Sequence, residues 1–187
     1  MTKKILVVAA HPDDEVLGCF ATVAKMIKQG YEAYTLILSG GKTSRGKVEK
    51  NELADLKKEM LKANKSIGIK KVFQADFPDN AFDSIPLLSI VKKVEEIKNI
   101  IKPEIIFTHH VGDMNIDHQL THKAVLTATR PMQDECVKKV YSMEVPSSTE
   151  WNGFSKETAT QPILNLLGVT ANHLKKEGGI DLRVIAS

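Results

Sequence analysis

The chain has 187 residues, of which 42% are hydrophobic and 26% charged, with a net charge of +3. This length and composition suit one globular domain with a sizeable core, and we expect a single domain over residues 1–187. The basic residues are scattered rather than clustered, which argues against nucleic acid as a partner. Two cysteines without CxxC spacing exclude a disulfide framework. We expect a cytoplasmic protein, because no apolar stretch approaches the length of a membrane span or a secretory leader.

Hydrophobic patterning predicts strands and helices in alternation along the chain. The predicted strands cover residues 5–10, 33–38, 71–75, 104–108 and 140–145. The predicted helices cover residues 16–29, 51–66, 87–101 and 119–129. The second helix has an expected inner face of Leu53, Leu56, Met60, Leu61 and Ala63. Regular alternation of this kind predicts an α/β fold with a doubly wound, mainly parallel sheet.

A polar cluster, His11-Pro12-Asp13-Asp14-Glu15, stands between the first predicted strand and the first predicted helix. Proline and acidic residues suit the first turn of a helix, so one interpretation is an ordinary helix start. An imidazole and adjacent carboxylates on one turn can also bind a divalent metal and leave a carboxylate spare. Helix capping explains neither His11 before Pro12 nor a third acid at Glu15. The cluster therefore favours a metal site.

A second polar cluster follows the fourth predicted strand and leads into the last predicted helix. Its polar residues are His109, His110, Asp113, Asn115, Asp117 and His118. The carboxyl ends of parallel strands meet at one edge of a sheet, where ligands bind, so this cluster is expected to bring His118 near His11. Taken singly, the histidines are loop or surface residues and Asp117 is a helix N-cap. Taken with the first cluster, they favour a metal centre.

The two clusters carry a family resemblance. Three segments resemble the PIG-L-type, or LmbE-like, zinc-dependent deacetylases. They are Ala10-His11-Pro12-Asp13-Asp14-Glu15, the second cluster, and Tyr141-Ser142-Met143-Glu144-Val145 before Trp151. The resemblance covers about residues 4–154. It implies a Rossmann-like, three-layer α/β/α fold. It also implies removal of the acetyl group from an N-acetylglucosaminyl-type substrate, either a small sugar or a glycoconjugate.

The resemblance also implies roles for individual residues. His11, Asp14 and His118 would bind Zn²⁺, which would polarise the acetyl carbonyl and activate water. Asp13 would be the general base, and Asp117 would orient a ligand or the partner of the base.

Glu15 would support the turn that carries these residues. Many family members have a histidine where this chain has Asn115. The donor to the oxyanion, or the acid, therefore remains open between Asn115 and His110.

Two further departures from the family pattern concern α/β packing and the C-terminus. Phe20 and Ala21 replace glycines and are expected to face the sheet. Residues 160–187 diverge, and their apolar side chains are expected to be covered by a second copy of the chain. The sequence therefore predicts a homo-oligomer.

Three loop residues are candidates for substrate binding. Arg45 is expected to pair with an anionic group, and Asp79 or Asn80 with sugar hydroxyls. Their alternatives are a solvated loop arginine and ordinary turn residues. Two other functions stay open: a relative that binds metal but is catalytically impaired, and a phosphate- or nucleotide-binding α/β protein. The last is disfavoured because no GxGxxG or GxxxxGK[ST] follows a predicted strand.

Overall fold

The computed structural model describes residues 2–41, 50–146 and 148. The strands within these residues are β1 (Lys4–Ala9), β2 (Glu32–Ser39), β3 (Lys71–Phe77), β4 (Ile105–His109) and β5 (Lys139–Met143). The helices are α1 (Asp14–Lys28), α2 (Lys50–Ile67), α3 (Leu87–Ile101) and α4 (Ile116–Ala128), and a 3-10 turn covers Phe82–Ser84.

The strands form one parallel sheet in the order β3-β2-β1-β4-β5. Val7 in the central strand β1 pairs with Thr35 of β2 on one side and with Phe107 of β4 on the other. The chain therefore reverses its direction of winding between β1 and β4. In doubly wound sheets this switch point opens a crevice at the carboxyl ends of the strands. Both polar clusters follow these two strands.

Helices cover both faces of the sheet, which gives the three-layer α/β/α arrangement. On one face, Val23 of α1 and Met60 of α2 pack against Val7. On the other face, Val94 of α3 and Val125 of α4 pack in one cluster with Leu6 and Val8 of β1, among others. Residues 5–10 are fully buried, as expected for a central strand covered on both sides. The predicted fold class is confirmed.

Helix α1 also approaches the edge strand β5 closely. A Cβ atom at Gly18 would lie only 2.8 Å from the Sδ atom of Met143. Glycine at this position therefore allows the first turns of α1 to contact β5, beside the first polar cluster.

Three local predictions were wrong. Leu61 is 43% exposed, and the inner face of α2 carries the buried Asn64 in line with Met60. Ala21 is exposed rather than facing the sheet, whereas Phe20 is buried on α1. Helix α4 begins at Ile116 rather than at residue 119, because the side chain of Asn115 accepts a hydrogen bond from the Asp117 N–H at 2.9 Å and caps the helix there.

Other predictions lie beyond the residues that the structure describes. These include the role of Arg45 and the tail at residues 160–187, from which the homo-oligomer was predicted. Across the described residues, no helix combines the length and apolar character that crossing a membrane requires.

Candidate metal centre

The first polar cluster forms a tight turn that is held by its own carboxylates. The Oδ2 atom of Asp14 accepts a hydrogen bond from the His11 N–H at 2.9 Å. The Oε2 atom of Glu15 accepts one from the Asp13 N–H at 3.0 Å. Asp13 has a φ of 100°, a sparsely populated conformation for a residue with a side chain, which costs about 1–3 kcal/mol. The turn therefore holds Asp13 in a strained position between β1 and α1.

The second cluster brings its side chains to the same place from β4 and α4. Asp117 and His118 lie in the first turn of α4, after the Asn115 cap, and both are buried. The Oδ1 atom of Asp113 accepts a hydrogen bond from the Asn115 N–H at 2.8 Å, which fixes the loop before the helix. Because β1 and β4 are neighbours, this turn faces the first cluster.

Three donor atoms from the two clusters form a nearly equilateral triangle. His11 Nδ1 lies 3.3 Å from His118 Nε2 and 3.4 Å from Asp14 Oδ2. His118 Nε2 lies 3.2 Å from Asp14 Oδ2. Donor atoms about 2.0–2.1 Å from a shared ion at tetrahedral angles lie about 3.3–3.4 Å apart. The spacing of these three atoms therefore fits a tetrahedral metal with one remaining position.

Each histidine of the triangle is oriented by its own carboxylate. The outer nitrogen of His11, Nε2, lies 3.0 Å from Asp117 Oδ2, and the other oxygen of Asp117 accepts from the Phe82 N–H at 2.9 Å. The outer nitrogen of His118, Nδ1, lies 3.0 Å from Asp113 Oδ2. A carboxylate only accepts, so each outer nitrogen carries a proton, and the inner nitrogen is the one that can offer a lone pair to a metal once its own proton has left. This pairing prepares both imidazoles for a metal.

The pKa values show how strongly this group of atoms attracts a positive charge when no metal is bound. Burial lowers the pKa of His11, but hydrogen bonds to Asp117 and Asp14 outweigh it and raise this pKa to about 10. Burial is likewise outweighed at His118, whose hydrogen bonds to Asp113 and Asp14 raise its pKa to about 9. Burial alone would raise the pKa of Asp14, but the surrounding histidines hold it well below its usual value. The carboxylates around the triangle therefore favour positive charge at the two imidazoles, which is the electrostatic setting that a bound cation needs.

Asp13 differs from its neighbour Asp14 in both position and charge state. Its side chain is exposed, whereas Asp14 is 4% exposed. The carboxyl group of Asp13 is nevertheless partly desolvated, and this desolvation, together with the negative charge of Asp14, raises the pKa of Asp13 to about 6. Two adjacent acids thus have separated pKa values, which is the arrangement expected of one ligand and one acid–base group.

His109 is fully buried beside the triangle but has a structural contact of its own. Its Nε2 atom accepts a hydrogen bond from the Ala10 N–H at 2.9 Å and joins the end of β1 to β4. Its ring stacks on that of His118 with centroids 3.8 Å apart. Burial lowers its pKa to about 3, so the ring is neutral. His109 therefore supports His118 rather than completing the triangle.

The remaining predicted site residues lie around the triangle. Asp79 is buried, with Oδ1 3.4 Å from the outer nitrogen of His11. Asn80 is exposed, and its Oδ1 accepts a hydrogen bond from Asn115 Nδ2 at 3.0 Å. His110 accepts one from the Gly112 N–H at its Nδ1, also at 3.0 Å. The described hydrogen bonds of Asn115 and His110 thus lie within the loops that surround the site.

Sequence reasoning missed the role of Asp113. The sequence places Asp113 in the second polar cluster but does not indicate a role for it. The same carboxylate also accepts a hydrogen bond from the Ser148 hydroxyl at 3.0 Å, so it links α4 to the chain after β5. Nothing in the local sequence signals that contact.

The fold and this group of residues define the class: a doubly wound α/β protein with a candidate metal site at the switch point of its sheet. The sequence profile of the PIG-L family, described as GlcNAc-PI de-N-acetylase, matches residues 6–129. This match covers more than half of the chain. The chain belongs to the PIG-L family, and the resemblance found in its motifs is confirmed.

Two curated relatives are deacetylases by name. The uncharacterized deacetylase YaiS of Escherichia coli K12 is 28% identical over 158 residues, which cover 81% of this chain and 78% of that protein. The diacetylchitobiose deacetylase of Thermococcus kodakarensis is 34% identical over 105 residues, which cover 54% of this chain and 38% of that protein.

Solved structures share the fold. The N,N'-diacetylchitobiose deacetylase of Pyrococcus horikoshii matches with a TM-score of 0.64 at 15% identity, over 94% of this chain and 74% of that one. GalB of Pseudomonas putida KT2440, a 4-carboxy-2-hydroxymuconate hydratase, matches with a TM-score of 0.64 at 21% identity, over 84% of this chain and 71% of that one. The fold alone therefore does not decide the reaction.

Proposed function

We propose that this protein is a zinc-dependent N-deacetylase that removes the acetyl group from an N-acetylglucosaminyl-type sugar or glycoconjugate. The observation that carries the proposal is the triangle of His11, Asp14 and His118 donor atoms, with edges of 3.2–3.4 Å, beside the exposed side chain of Asp13. Family membership and the names of the two deacetylase relatives support the choice of amide hydrolysis.

In this proposal His11, Asp14 and His118 hold the zinc ion. Two imidazole nitrogens and one carboxylate oxygen are typical ligands of a catalytic zinc, which keeps a position for water or substrate. When bound, zinc supplies a Lewis acid that polarises the acetyl carbonyl and lowers the pKa of water. Asp117 and Asp113 keep the two imidazoles in the tautomer that binds metal.

Asp13 moves the protons of the reaction. Its carboxylate accepts a proton from the attacking water, and its carboxylic acid then returns that proton to the leaving amine as the C–N bond breaks. The products are acetate and a free amino sugar, so one water is consumed for each amide cleaved. A pKa raised to about 6 suits both halves of this task, because the group gains and loses a proton near neutral pH.

His110 is the proposed hydrogen-bond donor to the developing oxyanion. Its Nδ1 accepts from the Gly112 N–H, so the neutral ring carries its proton on Nε2. Burial lowers the pKa of His110, which keeps the ring neutral. Asn115 has no proton to transfer, and its amide already caps α4 and binds Asn80. We therefore assign Asn115 a supporting role in which it shapes the rim of the site.

The substrate would lie along the loops that follow β3 and β4. Asn80 is exposed at this rim and is proposed to bind sugar hydroxyls, while the buried Asp79 stands behind His11. Arg45, which lies between β2 and α2 in the sequence, is proposed to pair with an anionic group of the substrate. The simple sugars used as probes below do not need an anionic group to serve as substrates.

Acetate release from defined probes tests the proposal. The protein is freed of metal with a chelator, reconstituted with zinc, and incubated with N-acetylglucosamine or N,N'-diacetylchitobiose, and both acetate and free amine are measured. We expect equal amounts of both products with the zinc-loaded protein and none with the metal-free protein. Zinc binding without release of acetate from either probe would contradict the proposal and favour the impaired relative. Failure to bind zinc at all would leave the phosphate- or nucleotide-binding alternative.

A further inference from the structure

A chain of buried hydrogen bonds runs from the centre of the sheet to the backbone of Asp13. The Thr35 hydroxyl, on β2, donates to Asn64 Oδ1 at 2.7 Å. Asn64 Nδ2, on α2, donates to Glu15 Oε1 at 2.9 Å. The other oxygen of Glu15 accepts from the Asp13 N–H at 3.0 Å. Thr35 and Glu15 are 0% exposed and Asn64 is 1% exposed, so water does not compete for these bonds.

The direction of this chain is fixed by the backbone of α2. Asn64 Nδ2 also donates to the Met60 carbonyl at 2.9 Å, so both of its N–H groups face acceptors. Rotating the amide by half a turn would place its oxygen against the Glu15 carboxylate and the Met60 carbonyl, and its NH₂ against Thr35. Asn64 is therefore held in one orientation by three partners, and it holds the Glu15 carboxylate in turn.

Asp13 needs such a support because its backbone is strained. Its φ of 100° and ψ of −31° are not conformations that an aspartate adopts without restraint. The Asp13 carbonyl accepts from the Val16 and Leu17 N–H groups at 2.9 and 3.0 Å, as at any helix start. Its N–H, by contrast, depends on Glu15, and Glu15 is held by a residue from a different helix.

We propose that Asn64 and Thr35 are positioning residues for Asp13, acting through Glu15 to hold its carboxylate in place for proton transfer. This inference rests on the proposed function, in which Asp13 is the general base. None of the described hydrogen bonds of Asn64 or Thr35 reaches the metal candidates. Losing Asn64 or Thr35 should therefore change the rate of the chemical step and leave metal binding as it was.

Two variants test the positioning role, and a third is the matched control. Asn64→Ala removes the central link. Thr35→Val removes one hydroxyl from a fully buried strand residue and keeps the shape. Thr108→Val makes the same change in strand β4, where the buried hydroxyl has no hydrogen-bond partner among the described residues. Loss of general stability would affect Thr35→Val and Thr108→Val alike, whereas loss of positioning would affect only the first.

The first readout is steady-state kinetics of the zinc-loaded protein on N,N'-diacetylchitobiose, at a temperature where all variants are folded. Misplacing a catalytic group by a fraction of an ångström to 1 Å lowers the rate by about tenfold to a hundredfold, so Asn64→Ala should lose that much kcat with KM within about twofold. Thr35→Val should show a smaller loss of kcat, and Thr108→Val none. Equal kcat values in all three variants and the wild type would overturn the proposal.

A rescue experiment separates positioning from packing. In Glu15→Gln the new NH₂ faces either the NH₂ of Asn64 or the Asp13 N–H, so one link of the chain is broken in both orientations. In the double variant Glu15→Gln/Asn64→Asp, the residue at position 64 accepts from both position 15 and Thr35, so the chain re-forms with its charge moved. The bond from position 64 to the Met60 carbonyl is lost in exchange, because an oxygen replaces Nδ2. We expect the double variant to recover part of the kcat that Glu15→Gln loses. A double variant no faster than the single one would contradict the role of the hydrogen-bond chain.

The second readout does not depend on activity. Amide hydrogen exchange, followed by NMR, reports directly on the Asp13 N–H. In Asn64→Ala this amide should exchange about tenfold faster than in the wild type, whereas the amide of Val23 in the middle of α1 should be unchanged. An unchanged Asp13 amide would refute the positioning role. If the wild type releases no acetate from the probe, the proposed function fails, and the exchange measurement still decides whether Asn64 holds Asp13.

Discussion

Replacing Asp117 with asparagine tests how His11 is prepared for a metal. Asp117 uses one oxygen for the Phe82 N–H at 2.9 Å and the other for His11 Nε2 at 3.0 Å. Asparagine fills the same space but must present its NH₂ to one of them. If the oxygen stays with Phe82, the NH₂ faces His11, the imidazole proton moves to Nδ1, and the lone pair needed for the metal is lost.

The size of this effect follows from the role of such partners in metal sites. Loss of the carboxylate behind a metal-binding histidine typically costs tenfold to a hundredfold in metal affinity. We therefore expect Asp117→Asn to raise the zinc dissociation constant about tenfold to a hundredfold, which is about 1.4–2.7 kcal/mol of binding free energy. Competition with a chromophoric chelator measures this directly.

Asp83→Asn is the matched control for this experiment. Asp83 lies next to Phe82 in the 3-10 turn and is exposed, so the substitution removes the same charge from the same region without touching His11. The control should bind zinc as tightly as the wild type. If Asp117→Asn also bound zinc with wild-type affinity, the assignment of His11 Nδ1 as a ligand atom would be wrong.

Three further predictions use other parts of the site and the chain. Asp13→Asn should keep zinc and lose at least about a hundredfold in kcat, whereas Asp14→Asn should lose zinc. Atomic absorption measures the zinc content and acetate assays measure kcat, and the reverse pattern would show that the two roles are exchanged. Metal binding should tighten from pH 7 to 9 and release protons, because His11 and His118, with pKa values raised to about 10 and about 9, hold protons that zinc must displace. Calorimetry in buffers of different ionisation enthalpy measures the proton release, and a zinc affinity that does not change with pH would contradict the prediction. Sedimentation should show an oligomer of the full chain, and a monomer at micromolar concentration would refute the predicted role of the divergent tail.

The fold was predictable because the sheet is parallel and covered on both faces. Strand β1 is apolar from Ile5 to Ala9, and the helices show the spacing of a face packed against a sheet. The same reasoning failed in α2 because of the polar side chain of Asn64. An amide in line with Met60 is expected to lie at the protein surface, and only the contacts with Glu15 and Thr35 explain its burial.

The meeting of the two clusters was also predictable, since it follows from topology alone. What the sequence did not reveal is the orientation of the imidazoles. The partner of His11 lies 106 positions away at Asp117, and neither spacing nor composition indicates which nitrogen faces the metal. The strained backbone of Asp13 was not predictable from the sequence for a similar reason. Glu15, which restrains Asp13, is itself held by Asn64 of α2.

The most direct test of the central claim is to titrate metal-free protein with zinc and measure how much zinc each chain binds. The wild type, His118→Ala and His122→Gln are compared. His122 is buried nearby in α4, but its Nδ1 lies 2.8 Å from the His109 carbonyl oxygen, so it serves as a control that changes a neighbouring histidine. We predict about one zinc per chain in the wild type and in His122→Gln, and none in His118→Ala. Stoichiometric zinc in His118→Ala, or in the double variant His11→Ala/His118→Ala, would contradict the account.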